Sequence, residues 1–166
     1  MNYFKIAILL LALALPETFS QVHRHDGHDH EHEHNHHGRY EIAIGGGAAY
    51  IPSDAELFPA LHLHLGRSIT EKIGLGVGYE GIFGDHTHHA FLAMITLDPF
   101  RWIHLSTGPG IVLPHEEHDE LKFKWGAELA VPFSIGRSLH IGPMLDYGWT
   151  TEESHVFMGI HLGIHL

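Results

Sequence analysis

Twenty of the 166 residues are histidine, and most stand in groups that also hold carboxylates. The densest group is the tract HRHDGHDHEHEHNHH, in which His23, His25, His28, His30, His32, His34, His36 and His37 are separated by Asp, Glu, Asn, Arg or Gly. Neutral imidazole nitrogens interleaved with carboxylate oxygens are ligands for Zn²⁺, Ni²⁺, Cu²⁺ or Co²⁺, with zinc the first expectation. No apolar residue lies between His23 and Arg39 to offset the entropy of ordering the chain, so residues 21–38 read as a disordered, metal-binding segment. A flexible string wraps several geometries, which favours binding over selectivity. Two later stretches repeat the theme. GDHTHH offers Asp85, His86, His88 and His89, and PHEEHDE offers His115 and His118 among Glu116, Glu117, Asp119 and Glu120. Loops are often hydrophilic without binding anything, so it is the His content of these two that points to a divalent cation.

The elements that must carry these loops follow from alternation. From Tyr40 onward, eight stretches alternate with period two between turn-forming residues: Tyr40 to Tyr50, Phe58 to Gly66, Ile73 to Phe83, His89 to Leu97, Arg101 to Leu113, Leu121 to Phe133, Leu139 to Trp149 and His155 to Leu166. They are longer than the usual globular strand of about 5 or 6 residues and match the roughly 9 to 11 that cross a bilayer at a tilt. One parity is apolar throughout, as in Ile73, Leu75, Val77 and Tyr79. The other holds Glu41, His62, His64, Glu80, His104, Lys122, Lys124, Glu128, His140, Asp146, His155, His161 and His165, with thirteen of the nineteen glycines.

Which parity is wet decides between two barrels. A soluble, lipocalin-like barrel would carry the polar parity outside, and its surface would then be mainly Gly and His instead of the Lys, Glu, Ser and Thr of soluble surfaces. The reverse arrangement accounts for the glycines, because the lumen of an eight-stranded barrel is narrow enough for side chains to fill it. The apolar parity then faces lipid. Tyr50, Tyr79, Phe91, Phe123, Tyr147 and Trp149 form one aromatic girdle, and Tyr40, Phe100 and Phe133 the other. The expected fold is all-β: an eight-stranded antiparallel up-and-down transmembrane β-barrel over residues 39–166.

Charge and the first residues agree with an exported protein. Nine Lys and Arg oppose 20 Asp and Glu, a net charge of −11 with His neutral, which argues against a nucleic-acid partner. Near pH 6 imidazole protonation moves that charge towards zero. Lys5 precedes an apolar run from Ile6 to Leu15, then Pro16 and a short polar stretch, which reads as a signal peptide over 1–20 cleaved after Ser20. Ten apolar residues are about half of what a helix needs to span a core of roughly 30 Å. With no Cys, neither a lipid-modified cysteine nor a disulfide is expected.

Over residues 39–166 the pattern resembles the small eight-stranded outer-membrane barrels of the OmpA transmembrane-domain and OmpX type. The last strand, VFMGIHLGIHL, fits except that it finishes on Leu166 where such barrels commonly finish on an aromatic residue. The resemblance implies an outer-membrane location with both chain termini of the barrel periplasmic, so that the His-rich segment is periplasmic too. Turns at Arg67 to Lys72, Asp98 to Pro99 and Ser134 to Ser138 would then face the periplasm. Ile51 to Leu57, Gly84 to His88, Pro114 to Glu120 and Thr150 to Ser154 would be the outer loops. Under this reading His62, His64, His104, His140, His161 and His165 gather in the periplasmic half of the lumen, and Glu80, Lys122, Lys124, Glu128, Asp146 and His155 form a salt-bridge network in the other half.

The expected function is metal handling: buffering, sensing or supporting transport of a divalent transition metal, with membrane lipid, metal ions and a metal transporter or efflux system as partners. The alternative is a structural or interaction barrel whose tract is a pH-responsive spacer. An enzyme is not expected. His104-Leu105-Ser106 looks like the His-x-Ser pair of the lipid A deacylase family, but its side chains point into the lumen on the periplasmic side, away from lipid of the outer leaflet.

Overall fold

The computed structural model describes residues 40–84, 87–114 and 121–166. The signal peptide, the tract ligands His23, His25, His28, His30, His32, His34, His36 and His37, and the loop ligands Asp85, His86, His115 and His118 lie outside the described residues.

Alternation produces strand in every stretch where the sequence predicts it. The strands are β1 (Tyr40–Ile51), β2 (Glu56–Ser68), β3 (Ile73–Ile82), β4 (His88–Phe100), β5 (Ile103–Leu113), β6 (Lys122–Ala130), β7 (Phe133–Ile135), β8 (Leu139–Thr150) and β9 (Ser154–His165). Consecutive strands from β1 to β6 pair antiparallel, β1 pairs with β9, β9 with β8, and both β6 and β7 pair with β8. β6 and β7 therefore share one wall position, and the sheet closes as an eight-stranded all-antiparallel barrel with no free edge to protect. At the terminal rim, Tyr40 N donates to Leu166 O at 3.3 Å and Leu166 N to Tyr40 O at 2.8 Å.

Two details differ from the sequence reading, and both have backbone causes. The expected sixth strand, Leu121 to Phe133, breaks at Val131 and Pro132, because Pro132 has no N–H to give the ladder. Val131 N instead donates to Pro143 O at 3.0 Å. The second is the turn expected at Asp98 and Pro99. β4 continues through both to Phe100 with a register irregularity between Leu97 and Phe100, and the turn itself is Arg101 and Trp102. The irregularity absorbs the proline within the strand.

The apolar parity faces outward. Ile42, Ile44, Leu63, Leu75, Val77, Ile95, Met158 and Ile160 are each at least 42 % exposed, a surface that water does not tolerate over so wide a band. Aromatics line both rims of that band. Tyr79, Phe91, Ile111 and Phe123 form a cross-strand row near the rim opposite the termini, and Trp125 stands across from Trp149. At the terminal rim Phe100 stacks on Trp102 with ring centroids 5.6 Å apart, and Phe133 is exposed. The interior is less polar than its glycines and histidines suggest. Ile51, Phe58, Ile82 and Phe157 join Ala49, Ala60, Ala130 and Met144 in one buried cluster, and Leu92 and Met94 lie in another with Ala90 and Val112.

Candidate functional site

The charged residues of the inward parity meet around Glu80. β3 buries Glu80 to 1 % exposure, and β6 places Lys124, equally buried, so that its ammonium donates to Glu80 Oε1. β9 brings His155 Nε2 to 3.2 Å from Glu80 Oε2 and 3.2 Å from Lys124 Nζ. One nitrogen cannot donate to the carboxylate and accept from the ammonium at once, so the tautomer of His155 decides which bond is made. β2 adds His62, Nε2 3.5 Å from Glu80 Oε2, and β8 adds Asp146, Oδ1 3.9 Å from His155 Nε2. Glu128 on β6 stands directly opposite Asp146. A buried charge persists only when paired or bonded, and this cluster does both for Glu80 and Lys124.

Of the network expected from sequence, Glu80, Lys124, Asp146 and His155 are joined. Lys122 places its Nζ 2.6 Å from Glu152 Oε2 towards the surface. His62 belongs with Glu80 and not with the terminal imidazoles, because the register makes the two direct cross-strand partners. That register depends on strand stagger, which spacing along the chain does not reveal.

The other five imidazoles do gather towards the terminal end. His140 is central, with ring centroids 4.9 Å from His165, 5.1 Å from His161 and 6.0 Å from His104, and its Nε2 lies 3.4 Å from Glu41 Oε1 outside hydrogen-bonding geometry. Its ring lies over Gly163, where a Cβ would come within 2.2 Å of His140 Nε2, so this imidazole needs a glycine across the ladder. His64 Nε2 and both nitrogens of His140 are buried without a hydrogen-bond partner among the described residues. Asp98 Oδ1 lies 3.8 Å from His104 Nε2, a pairing that follows from Asp98 belonging to β4 and not to a turn. A cavity of about 30 Å³ runs between the two groups, touching Glu41, His104 and His161 at one end and His62, Glu80 and Asp146 at the other.

Two expected loop ligands are described, and they part company. His88 faces the lumen, 3.9 Å from Glu80 Oε1 and 3.7 Å from Glu153 Oε1. His89 faces outward, its Nδ1 2.8 Å from the Tyr79 hydroxyl and its ring stacked on Tyr79. Adjacent residues of a strand point to opposite faces, so these two do not serve one ion. His104 and Ser106 share the inner face, and the Ser106 hydroxyl bonds Thr96 Oγ1 at 2.9 Å instead of an imidazole that would activate it.

With that geometry in place, solved structures supply the comparison. The N-terminal β-barrel domain of Pseudomonas aeruginosa OprF matches with a TM-score of 0.60 at 9 % identity, covering 78 % of this chain and 99 % of that one. Neisserial surface protein A matches at 0.56 with 8 % identity, covering 76 % and 96 %. Ail, the attachment invasion locus protein of Yersinia pestis, matches at 0.53 with 11 % identity, covering 78 % and 99 %. The chain has the fold of the small eight-stranded outer-membrane β-barrels. No protein-family model and no curated protein matches it in sequence. Identities this low carry the outer-membrane barrel architecture and nothing of the neighbours' binding or activity.

Proposed function

We propose that the protein is an outer-membrane barrel that holds a His-rich segment and uses it to bind divalent transition-metal ions, zinc first, buffering them or presenting them to a transport or efflux system. The apolar band and its aromatic rows support residence in a membrane, and the likeness to outer-membrane barrels supports which membrane. A filled lumen argues against an open pore, since a cavity of about 30 Å³ accommodates only one or two water molecules. The observation that carries the metal reading is the tract itself: eight imidazoles within HRHDGHDHEHEHNHH, interleaved with five acidic or amide side chains and no apolar residue.

Isothermal titration of the refolded full-length protein with Zn²⁺ tests it. Binding tighter than about 100 μM, near −5.5 kcal/mol, is expected, and it should weaken when the eight tract histidines are replaced by Gln. Equal binding by both proteins, or none by either, contradicts the reading.

A further inference from the structure

The cluster around Glu80 is short of positive charge. Glu80, Asp146 and Glu128 bring three carboxyl groups into the lumen, and the only Lys or Arg that the described contacts place with them is Lys124. With all three ionised, one ammonium leaves two negative charges in a region where Glu80 and Asp146 are at most 3 % exposed. Uncompensated charge of that kind is costly, so the cluster holds either protons or a further cation. The ligand geometry favours a cation. Ligand atoms of His62, Glu80 and Asp146 all lie within 4.8 Å of one another. His62 Nε2 and Asp146 Oδ1 are buried and have no hydrogen-bond partner among the described residues. Lys124 occupies Glu80 Oε1, while Oε2 stands 3.5 Å from His62 Nε2 and 3.2 Å from His155 Nε2, so an ion on Oε2 would leave His155 Nε2 to accept from Lys124 instead. Two ligands bonded at about 2.0 Å in a tetrahedral shell stand roughly 3.3 Å apart, close to the separation of Oε2 from His62 Nε2.

We propose that His62, Glu80 and Asp146 form a divalent transition-metal site inside the barrel, separate from the His-rich segment. One dication neutralises the two excess charges. An imidazole nitrogen among the donors selects a transition metal over Ca²⁺ or Mg²⁺, whose shells are built from oxygen. Glu41, His104 and His161, towards the terminal end, border the same cavity. This goes beyond the segment's proposed role and does not depend on it.

The test uses the full-length protein with the eight tract histidines replaced by Gln, titrated with Zn²⁺ by calorimetry and with Co²⁺ by visible absorption. One Zn²⁺ per chain is expected to remain, weakened at least tenfold by Asp146→Asn and by His62→Gln and unchanged by Glu152→Gln at the rim. Heat-modifiable gel mobility reports that each variant is folded, and either inner variant suffices if the other is not. Loss of all binding on replacing the tract overturns the inner site and leaves the segment's role standing. Binding that survives both inner substitutions overturns it as well. A wild-type protein that binds no more Zn²⁺ than the tract-replaced one overturns the segment's role alone.

Discussion

Glu80 receives Lys124, His155 and His62 from three other strands, so the lumen is organised around one carboxylate. Removing one partner of a buried ion pair leaves the other uncompensated. Lys124→Met should therefore destabilise the refolded barrel by about 3 to 5 kcal/mol, while Lys124→Met combined with Glu80→Leu should cost less than the single change. Urea unfolding in lipid vesicles measures both, and a double variant worse than the single would contradict the pairing. Strand parity alone makes Glu80, Lys124, Asp146 and His155 legible as neighbours in one lumen. His62 is not legible in that way, because its place beside Glu80 rests on the β2–β3 register, and a run of alternating residues fits many registers equally well. The Tyr79–His89 hydrogen bond is hidden from sequence for the same reason.

Strands of this length and parity are readable because lipid on one side and a narrow lumen on the other impose opposite demands on successive residues. Turns are less legible. Pro132 in an otherwise regular alternation marks the break between β6 and β7, whereas Asp98 and Pro99, strong turn formers, stay within β4 at an irregular point in its register. Two substitution pairs test the wall. A Cβ at Gly108 would sit 1.8 Å from the Ala93 carbonyl oxygen on β4, while one at Gly46 meets nothing within 4 Å. Gly108→Ala should cost about 1 to 3 kcal/mol or block folding, and Gly46→Ala should be close to neutral. Leu63 is outward in mid-strand and Leu57 outward at the rim. Arg at position 63 should destabilise the vesicle-inserted barrel by about 2 to 4 kcal/mol and at position 57 by about 0 to 1 kcal/mol. Equal, small effects would mean that the apolar face does not meet lipid.

At the scale of the whole chain, composition separates a barrel with a filled lumen from a segment rich in imidazole and carboxylate. The segment's chemistry is stated by its residue types, and its binding should fall with pH, since protonated imidazole is no ligand. Zn²⁺ affinity of the full-length protein should drop at least tenfold between roughly pH 7.5 and roughly pH 5.5, with the tract-replaced protein losing less. A lumen cavity of about 30 Å³ makes conduction through the barrel a poor expectation, so vesicles carrying it should leak neither Zn²⁺ nor small sugars. The metal reading presupposes the membrane barrel, and that premise is open to one direct measurement. Membranes from cells expressing the full chain are separated by density, and the barrel band is run on a gel with and without boiling. The protein should be found in the outer-membrane fraction with faster mobility before boiling than after. Recovery in the soluble periplasmic fraction would contradict the outward-facing apolar band and the function built on it.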